Sequence, residues 1–275
     1  MPRLDLRKPL LFLVALLVAA SAVPADDPVF SNAVTRPRIA LIIDDLGYGL
    51  AAGRRAVRLP GPVACAVLPE TPRGRLLAEF AAAQGKEVLL HLPLQAQNSE
   101  DDGNAGALHI DMSRERFAEA FAESIQSVPH VTGVNNHRGS LLTRHPGHMR
   151  WLMEELNARD GLFFVDSYTT HHSVALQAAT EAGVPAARRD VFLDADRSAA
   201  GVQKAFDRLV RLARKRGSAI GIGHPYPETL EFLERVLPTL NAEGIELVPL
   251  SELIYGSQVR QAGGRPRAPQ ASTGN

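Results

Sequence analysis

Six apolar runs in this chain end in residues capable of acid–base or metal chemistry. "IALII" gives way to Asp44 and Asp45, "EVLL" to His91, and "VTGV" to Asn135, Asn136 and His137. "LFFV" gives way to Asp166, "VFL" to Asp194 and "AIGIG" to His224. Each alone has an ordinary explanation, since an Asp or Asn behind a strand caps the next helix and a single His bonds to a loop. Capping favours Ser, Thr, Asn and Asp, so it does not account for three histidines together. A shared site does. One carboxylate with two imidazoles makes an oxygen and nitrogen donor set suited to zinc or a similar divalent ion, with positions left for water and substrate. A second carboxylate beside such an ion can take a proton from water whose pKa the ion lowers to about 7. A further imidazole across the site can protonate a leaving group. On this reading one member of the Asp44–Asp45 pair is a ligand and the other a base, their repulsion relieved by the cation.

The elements that must carry these residues are legible from the alternation of short apolar runs with longer helical periods. Strand candidates are "RIALIID", "VACAVLP", "EVLLHLP", "VTGVNN", "LFFVDS", "VFLD", "AIGIGH" and "IELVPL". Helical periods cover 72–84, 113–127, 146–159, 173–183, 198–216 and 227–243. Ser113 and Ser198 stand where N-caps are expected, and Gly85, Gly161, Gly183, Gly217 and Gly244 where helices hand over to strands. Strands apolar throughout and separated by helices are parallel and buried on both faces. The expected fold is a single-domain α/β chain: a parallel β/α barrel of seven or eight strands, closed or left incomplete. No G-x-G-x-x-G follows the first strand, which argues against a dinucleotide-binding open sheet. In a parallel barrel all the strand ends named above share one face. The long polar insertion at 95–111 belongs to that face as well.

Bulk properties set the frame. The 275 residues are 45% hydrophobic and 22% charged, with 30 basic and 30 acidic side chains. That balance, with no basic stripe, excludes nucleic acid as a partner. Residues 1–25 have the three parts of a secretory signal: Arg3, Arg7 and Lys8, then "LLFLVALLVAA", then small residues for cleavage. The apolar run is short for a bilayer span, so cleavage leaves no stable membrane span; an uncleaved anchor is the alternative. Export to the periplasm or cell envelope is the expected localisation. Residues 26–37 read as a flexible lead-in, 38–255 as the barrel and 256–275 as a disordered tail. The single cysteine, Cys65, cannot form an internal disulfide and reads as a small buried hydrophobe. His145 and His148 read as exposed residues at a helix start, and His109, His130, His171 and His172 are left outside the site. Arg188 and Arg189 are candidates to pair with site carboxylates.

The motifs "IDDLG", "GKEVLLHLPLQ", "GVNNHRGS", "GLFFVDS", "RRDVFLD" and "GIGHPYPETL", in this order, resemble the divergent polysaccharide deacetylase family over about residues 37–254. The resemblance implies a NodB-like barrel in an exported envelope protein, related to metal-dependent hydrolases that remove N-acetyl groups from sugars. It implies that Asp44 is the base and Asp45 a metal ligand, and that His91 is the first histidine of an H-x-x-x-H motif. Gln95 stands at the second position of that motif. A neutral amide is a weak zinc ligand, so His137 on another strand is the third donor. Arg138 occupies a position where the family has methionine, and this added cation either meets an anionic substrate or faces solvent. The expected function is a zinc-type metal-dependent deacetylase of acetylated envelope polysaccharide. Asp44 and His224 are catalytic; Asp45, His91 and His137 hold the ion; Asn136, Asp166 and Asp194 support the site or touch the carbohydrate. The rival is a catalytically inactive carbohydrate-binding or scaffolding protein of the envelope, which Gln95 favours. No protein partner is indicated.

Overall fold

The computed structural model describes residues 36–98 and 106–262, with side chains through residue 256. The expected leader, nearly all of the lead-in, the middle of the 95–111 insertion and the tail beyond 262 lie outside the described residues.

The first half of the chain builds β1 (Arg38–Leu46), α1 (Leu50–Val57), β2 (Ala64–Val67), α2 (Gly74–Ala83) and β3 (Val88–Leu94). It continues through α3 (Arg114–Ser127), β4 (Val131–Arg138), α4 (Pro146–Asn157), β5 (Phe163–Asp166) and α5 (Ala175–Ala182). The second half adds β6 (Ala186–Arg188), β7 (Val191–Phe192), α6 (Ala199–Arg216) and β8 (Ser218–Gly223). It ends with α7 (Pro227–Val236), β9 (Glu246–Leu247) and α8 (Leu250–Ala262). Ser113 Oγ accepts from Arg116 N–H at 3.3 Å and Ser198 Oγ from Gly201 N–H at 3.0 Å, so both serines cap as expected. Gly183 and Gly217 end α5 and α6 in the left-handed region, which a side chain would strain.

All strand pairs are parallel, in the order β6-β5-β4-β3-β2-β1-β8-β7, with β9 alongside the start of β1. The two edge strands are consecutive in the chain. Only Arg189 and Asp190 separate β6 from β7, so the sheet must curl until its edges meet. Arg189 N–H bonds to the Asp166 carbonyl of β5 at 3.0 Å, and Asp190 N–H bonds to the Ile220 carbonyl of β8 at 2.9 Å. The extended segment 186–192 is therefore one stave, held by β5 in its first half and by β8 in its second. The parallel β/α barrel expected from the sequence is the fold observed.

Strand alternation divides the core. Ile39, Leu41 and Ile43 of β1 face the surrounding helices, while Ala40 and Ile42 point inward with Ala64, Ala66, Leu89, Val165 and Ile222. Leu250, Leu253 and Ile254 of α8 join this inner cluster and stop the end of the barrel where the strands begin. The Glu87 carboxylate caps that helix, accepting from Leu250 N–H at 2.7 Å and Ser251 N–H at 3.1 Å. With one end stopped, the opposite end is where strand termini meet solvent.

Four details differ from the sequence reading. Helix α7 stops at Val236 rather than continuing to 243, because Pro238 has no N–H to extend it. Helices α1 and α8 and strand β6 were not expected, and α8 runs to Ala262, past the boundary at 255. His148 is buried rather than exposed, packed against Trp151 with ring centroids 4.5 Å apart. Its neighbours Met149, Leu152 and Met153 face the core, and His148 lies at the edge of that same face.

Candidate metal and catalytic site

In a regular strand, adjacent side chains point to opposite faces, and Asp44 and Asp45 would part company. The backbone prevents this. Asp45 adopts φ +58°, and the β1–β2 register shifts between Ile43 and Leu46. A bulge with one left-handed residue re-aims a side chain, and Asp tolerates that conformation better than most residues. Both carboxylates thereby reach the open end of the barrel. Gly47 of "DDLG" follows at φ +141°, where a Cβ would collide with Thr71. Arg138 at the end of β4 and Tyr168 beyond β5 are also left-handed, at φ +54° and +51°. Of the five such non-glycine residues among the described residues, three lie at this rim, the usual place for retained strain.

Asp45 Oδ1 lies 3.2 Å from His91 Nε2 and 3.0 Å from His137 Nδ1, and those two nitrogens lie 3.2 Å apart. The same oxygen is buried and has no partner with hydrogen-bond geometry. A buried carboxylate oxygen without a donor is costly, and here two imidazole nitrogens converge on it. This donor set fits a divalent ion. The three ligating atoms lie within 4.8 Å of one another, close enough to share one. Without an ion, burial would raise the Asp45 pKa, but the His137 and His91 rings outweigh it and hold the carboxyl well below its ordinary range.

The tautomer of His91 is set from behind. Its Nδ1 lies 2.9 Å from Asn135 Oδ1, an acceptor, so Nδ1 carries the proton and Nε2 presents a lone pair. Asn135 is fully buried, and its Nδ2 donates to Asp44 Oδ1 at 2.8 Å. One amide thus links the candidate base to a candidate ligand. Sequence reasoning named Asn135 at a strand end but gave it no role, because two adjacent asparagines on alternating faces cannot be told apart without the register. Burial pushes the Asp44 carboxyl above its ordinary pKa, against the pull of His91, His224 and Asn135. Burial lowers His91, but Asp44, Asp45 and Asn135 bring the ring up to about 9 when no ion is bound.

His224 stands on the far side, its Nε2 3.9 Å from Asp45 Oδ2. Asp194 Oδ1 lies 2.8 Å from His224 Nδ1, and Asp194 Oδ2 accepts from His224 N–H at 2.6 Å and Thr229 Oγ1 at 2.9 Å. Burial would lower His224, but Asp194, helped by Asp44 and Asp45, raises it above its ordinary pKa. A histidine held in this way presents Nε2–H toward the site, as an acid must.

The remaining candidates do other work. Asn136 donates to the Arg138 carbonyl at 2.7 Å and accepts from Ser167 N–H at 2.8 Å, tying the ends of β4 and β5 together. Asp166 accepts from Tyr168 N–H and Ser173 Oγ, both at 2.8 Å, and so shapes the loop after β5 rather than orienting a histidine. Burial raises its pKa above the ordinary value. Gln95 is turned into the insertion, where its Oε1 accepts from Ile110 N–H at 2.9 Å. Arg189 pairs with carbonyls rather than carboxylates, donating to Ser167 O at 2.7 Å and Tyr168 O at 2.8 Å. The His171 and His172 rings lie 3.8 Å apart, tilted by 43°, and are exposed.

A family model described as divergent polysaccharide deacetylase matches residues 41–254. The chain is 35% identical over 229 residues to the uncharacterized protein YibQ of Escherichia coli K12, spanning 83% of this chain and 71% of that one. It is 37% identical over 240 residues to an uncharacterized protein of Haemophilus influenzae, spanning 84% of each. Among solved structures it superposes on the uncharacterized protein ATU2773 of Agrobacterium tumefaciens with a TM-score of 0.76 and 24% identity. That match covers 80% of this chain and 89% of the other, and shows a common fold.

Proposed function

Since the chain belongs to the divergent polysaccharide deacetylase family and has its NodB-like barrel, we propose that it is an exported, zinc-type metal-dependent hydrolase that deacetylates envelope carbohydrate. The observation that carries this is Asp45 Oδ1, buried without a partner of hydrogen-bond geometry and faced by His91 Nε2 at 3.2 Å and His137 Nδ1 at 3.0 Å. Asp45, His91 and His137 would hold the ion. When bound there, a divalent ion acidifies water and polarises an acyl oxygen.

The chain's own residues supply the proton traffic. Asp44 receives the proton of the water that attacks the acetyl carbonyl carbon; its buried setting makes it a better base than an exposed carboxylate. Asn135 holds the Asp44 carboxylate in place through the 2.8 Å bond from Nδ2. As the bond from the acetyl carbon to the sugar nitrogen breaks, His224 Nε2 delivers a proton to that nitrogen, leaving acetate and a free amine. Asp194 holds the ring for this step.

The rival reading, a binding protein without catalysis, rested on Gln95 in place of a histidine. Gln95 serves the insertion, and His137 offers the third donor instead, which supports the catalytic reading. Export is supported by the signal-like pattern of residues 1–25. Acetate release from acetylated glycans, with zinc supplied to untagged protein, tests the proposal. Release that disappears in the Asp44→Asn, Asp45→Asn and His224→Ala proteins is expected. Binding of glycans without acetate release by the zinc-loaded parent would overturn it in favour of the rival.

A further inference from the structure

The barrel order places the end of β5 beside β6, the seam, β7, β8 and then β1. Along this arc of the rim stand Tyr168 after β5, Arg188 at the end of β6, Arg197 after β7, Tyr226 after β8 and Tyr48 after β1. The two histidines nearest Asp45, His91 and His137, lie on β3 and β4, across the mouth. The Arg188 guanidinium carbon stands 4.3 Å from the Tyr168 ring centroid, and that of Arg197 stands 3.9 Å from the Tyr226 ring centroid. Both arginines are exposed.

Among the described residues, neither guanidinium has a carboxylate oxygen within 4.0 Å. The acidic residues near them are committed elsewhere. Asp190 pairs with Arg216 and accepts from Ile220 N–H, both at 2.9 Å, and Asp196 accepts from Ser198 N–H at 3.0 Å. Asp166 and Asp194 are held by the loop after β5 and by His224. A guanidinium steadied by an aromatic face keeps its in-plane N–H donors for a ligand, and that fork matches a carboxylate or phosphate. The Tyr226 ring lies 5.5 Å from the His224 ring, so this cationic edge adjoins the candidate acid. Tyr48, three residues beyond Asp45, is 59% exposed and offers a flat apolar face at the same rim.

We propose that this arc selects an anionic glycan. A carboxylate- or phosphate-bearing sugar unit lies against Arg188 and Arg197, beside the acetylated unit at the Asp45 centre. This deepens the deacetylase reading and rests on it for the placement of the acetylated unit. A neutral glycan would leave both guanidiniums without an anion.

The test is calorimetric binding to the full chain with zinc present, using three N-acetylglucosamine oligomers of equal length. One is unmodified, one alternates with glucuronic acid, and one carries a phosphate monoester. The acidic oligomers are expected to bind at least about tenfold more tightly than the neutral one, and the better of the two identifies the anion. That advantage should shrink as salt rises from about 0.05 M to about 0.5 M. Arg188→Ala and Arg197→Ala should each remove roughly tenfold of it, with melting temperature and zinc affinity unchanged. Equal binding of all three oligomers, no measurable binding, or a preference untouched by both substitutions would overturn the proposal. Acetate release read in parallel separates the two ideas. Release without an acidic preference keeps the deacetylase and removes the arc; acidic preference without release does the reverse.

Discussion

Asn135 and His91 meet through a 2.9 Å bond that sets which imidazole nitrogen faces Asp45. The same asparagine holds Asp44, so one side chain governs both the lone pair of the candidate ligand and the orientation of the candidate base. Asn135→Ala should lower zinc affinity by about 10- to 100-fold, the usual worth of a residue that orients a metal-bound histidine. It should also cost about 1–3 kcal/mol of stability by leaving buried polar groups unpaired. Competition with a chromophoric chelator and urea unfolding measure the two effects. Unchanged zinc affinity would remove Asn135 from the site.

The two adjacent aspartates should fail differently. Asp44→Asn should keep the ion and lose turnover by roughly 10²–10⁴-fold, as expected for a positioned general base. Asp45→Asn should lose the ion first. Asn accepts the left-handed backbone at this position, so the fold should survive and the comparison remain clean. Zinc binding and acetate release, measured side by side, separate the roles.

How much of this was legible depends on the signal each residue leaves. Strands buried on both faces read as unbroken apolar runs, so their ends, and with them Asp44, His91, His137, Asp194 and His224, could be located. β6 is only Ala186–Arg188, and α1 is a helix of eight residues interrupted by Gly53 and two arginines, so neither announces itself. The bulge that turns Asp45 toward its neighbours depends on register with β2, which no local pattern encodes. His148 read as exposed because its burial depends on Phe117 and Trp151 packing around it.

Buried Asp166 gives a pH test with a definite sign. Its folded pKa is raised from 3.8, chiefly by burial, so the folded state holds this proton more tightly than the unfolded chain. Stability from this group is greatest below pH 3.8 and falls as pH rises from there toward the raised value. Asp166→Asn should therefore flatten the loss of stability over that interval. Chemical denaturation of both proteins at several acidic pH values measures the difference, and parallel curves would show that Asp166 titrates normally.

Cys65 is fully buried on β2, and burial pushes its thiol up to about 12. It should resist thiol reagents at neutral pH until the fold opens, because the thiolate is the reactive form. Labelling in native buffer and in urea, followed by mass, checks this; rapid native labelling would contradict the buried placement.

Ile254 of α8 is fully buried in the cluster that stops the barrel. Ile254→Ala should cost about 2–5 kcal/mol, read by urea unfolding. A cost near zero would mean that the helix is not part of the core.

The stave that completes the barrel is gripped by three paired positions on one flank and two on the other. The wall is thus only as strong at that place as a few rungs in series, whereas β3 and β4 share seven. Amide hydrogens there should exchange with solvent sooner than those of the β3–β4 ladder. Arg188 lies on this stave and Arg197 follows it by five residues. The wall is therefore expected to open first at this stave, away from the β3–β4 ladder that carries His91 and His137.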